Sequence, residues 1–293
     1  MDHSKRITGW RRVAGAMWNA PNDPQIFGAL DVDARPVLDF IEQERRRGHR
    51  ITPTHVVGRA VSHALEAVPD LNVRIRRGRA YPRPSIDVFF ITAVGQGSDL
   101  SGVKICDVPS KSAAAVATEL SERSTAMKAG RDRDFSRTKK MMDALPPRIL
   151  RRTLRATAFL TEQLQLDLPM LALRRSPFGS AMITSVGMFG LPQGFGPLAW
   201  MYDVPLLVLV GEITERPVVE AGVVVARPIL PITATIDHRY VDGWHISVAM
   251  KAFREYLATP TAFEPAEAQY VSVTPTPAFV PSRDDSAGKS EYR

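Results

Sequence analysis

The stretch running from Ile236 to Gly243, Ile-Asp-His-Arg-Tyr-Val-Asp-Gly, concentrates the side chains most able to do chemistry. A neutral imidazole accepts a proton near neutral pH, whereas a thiol with a pKa of about 8.5 stays mostly protonated without help. His238 is therefore a candidate general base toward a thiol or a hydroxyl. Asp242 stands immediately before Gly243 and an amphipathic segment, so its simplest role is a helix N-cap; pairing with a buried arginine is a second. Taken alone, the Asp-His-Arg triplet also describes a hydrogen-bonded core histidine, and both readings stay open.

The elements around the triplet decide how it would be held. A β-branched run, Ile229 to Ile236, leads into it, and Trp244 to Leu257 leads away with Ile246, Ala249, Met250, Phe253 and Leu257 on one helical face. Pro231 cannot donate to a ladder and is expected at a strand start, an edge or a bulge. Further upstream, Gln25 to Val32 reads as a strand, followed by a helix capped by Asp33, with Pro36 in its first turn, ending at Gly48. Thr52-Pro53 opens a helix over Thr54 to Val68. Ile86 to Val94 reads as a strand, Gly95 to Ser98 as a turn, and Ser110 as the cap of a helix reaching Gly130. Short strands follow at Ala181 to Val186, Leu206 to Val210 and Gly222 to Ala226. This uneven alternation predicts an α/β protein, a two-layer sandwich with a mixed β-sheet.

Composition narrows the function classes. The 293 residues are 44% hydrophobic, enough for a full core, and carry a net charge of +7 with a pI near 9.7. No nucleic-acid motif accompanies that charge, so a phosphate-bearing small molecule or an acidic protein surface suits it better. The single cysteine, Cys106, is expected to be a buried strand residue; it supplies neither a disulfide framework nor a metal-ligand cluster. The sequence shows no signal peptide and no run of about 20 apolar residues for a membrane span, so a cytoplasmic location is expected. From Arg131 to Arg175 basic residues recur, and Pro146-Pro147 introduces a helix with Leu150, Leu154 and Leu164 in a stripe. It reads as a surface helix packed on its own domain, or as one that docks onto a partner, a membrane surface or an anionic ligand. Beyond Pro260, residues 261–293 lack periodicity and are expected to be disordered.

The longer pattern Asp-His-Arg-x-x-Asp-Gly, preceded by a strand and followed by an amphipathic helix, resembles the active-site signature of the dihydrolipoyl acyltransferases, the core components of 2-oxo acid dehydrogenase complexes. Three other segments agree in order: Ile7 to Arg12, Thr52 to Asn72, and Ile183 to Gly190. Chloramphenicol acetyltransferase looks similar at Asp242 to His245 and at Trp10 to Arg12. The resemblance implies a chloramphenicol acetyltransferase-like fold over residues 1–260 and acyl transfer between thioesters. His238 then matches the base that deprotonates the acceptor thiol. Thr184 matches the family serine whose hydroxyl stabilises the developing oxyanion, with Ser185 as the neighbouring alternative. Asp242 matches the aspartate, placed before Gly243, that pairs with an N-terminal arginine: Arg11 first, Arg12 second. Coenzyme A or acyl-coenzyme A is implied as a substrate, with no tightly bound cofactor and no metal. A homotrimer or an assembly of trimers is implied as well, because family members place the site between subunits.

Departures from the pattern limit the transfer. The resemblance begins almost at Met1, so the expectation is a catalytic domain without lipoyl or subunit-binding domains, with a lipoyl-bearing or acyl-carrier protein acting in trans. Asp99 to Ile105 replaces the family's Gly-Leu-x-x-Pro-Val stretch, and His245 stands where lipoyl enzymes usually carry a small residue. Two classes of function remain: an acyltransferase, favoured by His238, Asp242 and Thr184 occurring together, and a non-catalytic trimeric scaffold.

Overall fold

A computed structural model of the chain describes residues 23–94, 99–128, 146–167 and 175–265. A seven-stranded mixed sheet forms its centre, in the order β1-β9-β7-β6-β4-β5, with β8 paired to β9. The strands are β1 (Gln25–Asp33), β4 (Val88–Val94), β5 (Asp99–Ile105), β6 (Ala181–Ser185), β7 (Leu206–Val210), β8 (Thr214–Glu220) and β9 (Val223–Asp237). A separate hairpin joins β2 (Val73–Arg76) to β3 (Arg79–Pro82). β6 runs parallel to β4 and β7, and β9 is antiparallel to both β1 and β7.

One face of the sheet is covered by helices α1 (Arg35–Arg46), α2 (Pro53–Ala67), α3 (Ala113–Lys128) and α5 (Gly243–Ala258). Ala181 and Ile183 of β6, Leu206, Val208 and Val210 of β7, and Ile232 and Ile236 of β9 project into that layer, where they meet Val57, Val61, Phe253 and Leu257. Alternate positions point to the other face, where Leu207 and Leu209 pack with Met182, Ile91 and Trp200 beneath the 191–202 segment. The expected α/β two-layer arrangement is what the described residues form. A fifth helix, α4 (Pro147–Ala158), passes into a π turn at Phe159–Gln163.

Several expectations are corrected. The cap of α3 is Ser112, whose Oγ accepts from the Ala115 amide at 3.2 Å; Ser110 instead ends a short 3-10 turn. Cys106 is exposed because β5 stops one residue before it. Leu164 is also exposed, since the π turn shifts it off the stripe of Leu150 and Leu154. Gly222–Ala226 and Ile229–Ile236 are not two strands: β9 is continuous through Pro228 and Pro231. Pro231 is tolerated inside it because β7 gives way to β8 there; Gly211 N–H still donates to the Pro231 carbonyl at 2.9 Å, and only the reverse bond is lost. The packed domain also continues past Pro260. The Glu264 carboxylate accepts from the Ala113 amide at 2.6 Å and from the Tyr256 hydroxyl and Arg59 guanidinium, so the expected tail starts later than residue 261. The rest of that tail, the Gly95–Ser98 turn and residues 131–145 and 168–174 of the basic segment lie outside the described residues.

Candidate active site at the end of strand β9

β9 delivers His238 to a corner fixed from several sides. The His238 amide donates to the Pro24 carbonyl at 2.9 Å, and the Asp237 amide donates to the Pro205 carbonyl at 2.9 Å, tying the corner to the chain before β1 and to the start of β7. Asp237 is 1% exposed. Arg239 clamps its carboxylate from Nε (3.0 Å to each oxygen) and Nη2 (2.6 Å). The same guanidinium lies 5.2 Å from the Trp200 ring centroid, a cation–π contact. Flanked by these braced neighbours, His238 itself is exposed. Among the described residues its imidazole forms no hydrogen bond or ion pair, and it faces an open cleft of about 400 Å³ lined by Asp23, Pro24, Gln25, Ile26 and Arg239.

Asp242 and Gly243 stand where the sequence predicts. Asp242 is the N-cap of α5, its Oδ1 accepting from the amides of Trp244 at 3.0 Å and His245 at 3.3 Å. Its carboxylate also meets His245 Nδ1 at 2.8 Å. That bond holds the Asp242 carboxyl below its ordinary range. His245 Nε2 reaches the Asp70 carboxylate at 3.4 Å. The role of His245 was missed in the sequence, although Asp at the cap with a polar side chain three residues later is the capping-box spacing. Arg11 and Arg12, the arginines expected to pair with Asp242, lie outside the described residues.

Thr184 and Ser185 are brought to the opposite end of the sheet. Strand alternation sends their side chains to opposite faces. Thr184 shares a face with its register neighbours Ile91 and Leu209, while Ser185 follows Ile183 toward the helices. Among the described residues the Thr184 hydroxyl forms no hydrogen bond. The backbone beyond it is tightly placed. The Val186 amide donates to the Val210 carbonyl at 2.9 Å, and a Cβ on Gly187 would lie 2.5 Å from the Gly211 carbonyl oxygen.

The register also shows that one chain does not bring His238 and Thr184 together. Thr184 is level with Leu209 and hence with Thr233, two strands away; Asp237, the residue before His238, is four positions further along β9. With strands about 4.8 Å apart and about 3.3 Å per residue, the Thr184 and Asp237 backbones are roughly 16 Å apart, and His238 lies one residue further. A base and an oxyanion donor must each come within about 3 Å of one reacting group, so this gap exceeds their combined reach.

Behind the His238 corner lies a buried charged cluster that the sequence did not suggest. Arg83 donates to the Asp203 carbonyl at 2.6 Å and to the Val73 carbonyl at 3.3 Å. Ser176 Oγ accepts from Arg74 at 3.0 Å and donates to Glu162 Oε2 at 3.3 Å. Burial pushes the Glu162 carboxyl up to about 7, against the pull of Arg83 and Arg74. Its Oε1 has no partner among the described residues. The described residues contain no group of side chains able to hold a metal ion, and none of their helices is long and apolar enough to cross a membrane.

Residues 177–264, which include Thr184, His238 and Asp242, match the family model of the 2-oxoacid dehydrogenases acyltransferase (catalytic domain). The chain is 25% identical over 264 residues to the dihydrolipoyllysine-residue acetyltransferase component of the acetoin cleaving system of Bacillus subtilis, a match covering 87% of this chain and 55% of that protein. It thus spans about half the length of that curated relative. Among solved structures, the cubic core of the pyruvate dehydrogenase multienzyme complex is similar, with a TM-score of 0.60 and 16% identity over 83% of this chain and 84% of that one. So is the dihydrolipoamide acetyltransferase of Azotobacter vinelandii, with a TM-score of 0.59 and 16% identity over 83% and 84%; its catalytic mechanism has been studied at a serine, a histidine and an asparagine. The resemblance read from the sequence therefore holds: residues 177–264 are similar to the catalytic domain of the 2-oxoacid dehydrogenases acyltransferase, and the chain shares the fold of those solved cores.

Proposed function

We propose that the protein is an acyltransferase that moves an acyl group between coenzyme A and the thiol of a dihydrolipoyl group. The observation that carries this reading is the state of His238: an exposed imidazole with no partner among the described residues, on a corner whose neighbours Asp237, Arg239 and Asp242 are all engaged. In the Azotobacter protein the histidine and asparagine of the mechanism are four positions apart, the spacing of His238 and Asp242 here.

In this reading the His238 imidazole takes the proton of the acceptor thiol, and the thiolate attacks the acyl carbonyl of the coenzyme A thioester. The hydroxyl of Thr184 donates to the oxyanion of the tetrahedral intermediate. Collapse breaks the carbon–sulfur bond to coenzyme A, and the leaving thiolate recovers the proton from the imidazolium. Asp237 and Arg239 hold the corner in place. Because roughly 16 Å separates the two ends of the sheet in one chain, the His238 of one subunit works with the Thr184 of a neighbour, and the acting unit is a trimer or an assembly of trimers.

The test is to mix two inactive variants. His238→Ala and Thr184→Val are each purified, mixed, dissociated and reassembled, then assayed for thiol release from acetyl-coenzyme A with dihydrolipoamide. A shared site predicts recovery of about one quarter of wild-type activity on random mixing, since only interfaces joining the two intact residues are competent. No recovery, with wild-type protein active, overturns the shared site. No turnover by the wild type with any acyl donor overturns the enzyme reading and leaves a scaffold.

A further inference from the structure

The proposed chemistry leaves unused one exposed surface, the outer face of α4. This helix, Pro147–Ala158, contains no carboxylate, and Arg148, Arg151, Arg152 and Arg155 are all exposed. None of the four forms an ion pair with the described residues. Arg148, Arg152, Arg155 and Phe159 recur at four-, three- and four-residue spacing and so share a face about 18 Å long at 1.5 Å per residue. Two apolar side chains stand among the arginines: Ile149, 50% exposed, and Phe159, 52% exposed. Exposed arginines around a pair of bare apolar groups are complementary to an acidic protein surface with a small hydrophobic contact.

The position of the helix says what such a surface would serve. α4 packs against the Trp200–Tyr202 turn, and Gln163, at the end of its π extension, donates to the Asp203 carboxylate at 3.3 Å. Trp200 is the ring beneath Arg239, the residue next to His238. The arginine face is thereby joined to the corner that presents the candidate base. A membrane is the poorer match, because the apolar stripe of Leu150, Leu154 and Ala158 is turned into the protein and leaves only Ile149 and Phe159 of the helix, with Leu164 and Leu166 beyond it, for a lipid phase.

We propose that the outer face of α4 docks an acidic carrier domain that brings a thiol or thioester arm to His238. The proposal rests on the acyl-transfer reading and names the form of its second substrate: a group attached to a protein. Carboxylates on the carrier meet Arg148, Arg151, Arg152 and Arg155, and Ile149 and Phe159 supply the apolar contact. Encounter is steered by charge and weakens as salt rises.

The experiment uses the full chain and two acceptors, free dihydrolipoamide and an isolated lipoyl domain of net negative charge carrying a reduced lipoyl group, with acetyl-coenzyme A as donor. In the triple variant Arg148→Glu, Arg152→Glu, Arg155→Glu, kcat/KM for the domain is expected to fall about tenfold or more through KM. The rate with free dihydrolipoamide stays at the wild-type value. The matching Arg→Gln triple variant shows a smaller loss in the same direction and guards against misfolding of the charge-reversed protein. Unchanged kinetics with the domain, or an equal loss with both acceptors, overturns the proposal. If wild-type protein turns over neither acceptor, the acyl-transfer reading fails separately, and docking is judged by calorimetric titration of the lipoyl domain at about 50 mM salt. Binding that the Arg→Glu variant loses keeps the docking face; no binding overturns it. Sedimentation of wild-type protein with phosphatidylserine vesicles, without binding to the domain, overturns it in favour of a lipid surface.

Discussion

The two ends of the central sheet are held by different forces. At the His238 end the backbone turn is braced by charge: a buried Asp237 carboxylate clamped by Arg239, an indole under the guanidinium, and a carboxylate cap on α5. At the Thr184 end no ionised side chain takes part among the described residues. Apolar neighbours Ile91, Met182 and Leu209 surround the strand, and the backbones at Gly187 and Gly211 approach too closely to admit a Cβ. The contrast fits the demands of the two proposed roles. A base must be oriented yet keep its ring nitrogens free, so its neighbours carry the bonds. An oxyanion donor must be immobile before charge develops, and close backbone packing achieves that without a competing hydrogen bond.

Perturbing each end separately tests the contrast. The largest effect is expected from His238→Ala, a loss in kcat of about 10²–10⁴-fold, with Thr184→Val losing about 10²–10³-fold and Thr184→Ser retaining most activity; steady-state thiol release distinguishes them, and full activity in Thr184→Val would sever that residue from the chemistry. Arg239→Ala leaves Asp237 buried without its cation. It is expected to destabilise the fold by about 2–3 kcal/mol, below the range for a fully buried pair because the guanidinium is half exposed, and to lower kcat as the corner loosens. Denaturant unfolding and turnover measured together check it. At the other end, Gly187→Ala forces the Gly211 carbonyl to move and should cost about 1–3 kcal/mol. Denaturant unfolding checks the stability loss, and kcat should drop with it.

The last test concerns the cluster behind the corner, where the effect depends on pH. Glu162 titrates near 7 in the folded protein, above its ordinary 4.5, so the folded state binds the proton more tightly than the unfolded chain. That contribution is full below about pH 4.5 and is lost as pH rises through about 7, a loss of order 2–3 kcal/mol. Glu162→Gln should therefore flatten the stability profile between about pH 5 and pH 8 and stabilise the protein at the alkaline end, as thermal melts across that range would show.

How much of this was legible in the sequence depended on the range of the interaction. β1, β7, α2 and α5 were read to within one or two residues, because local alternation, a Thr or Asp cap and a proline in the first turn fix them. The 15-residue β9 was split at its prolines, since the sequence does not show that its partner changes from β7 to β8 where the Pro231 donor is missing. β8 and the β2–β3 hairpin were missed for a similar reason: neither has an apolar run, and both are defined by pairing. Within the site, His238 and Asp242 stood out through local motif spacing, and Thr184 only through the resemblance to the acyltransferase family. The separation of Thr184 from His238 did not, because it follows from the register of three strands distant in the chain.

The continuity of β9 has a mechanical consequence. Its 15 residues form a rod of roughly 50 Å, gripped over its second half, from Ile229 to Asp237, by β1 and β7, with the exposed valines Val219, Val223 and Val224 of the hairpin at one end and His238 at the other. The hairpin end, from Val223 to Pro228, pairs with β8 alone, so it can fray without moving the doubly paired segment that leads into His238.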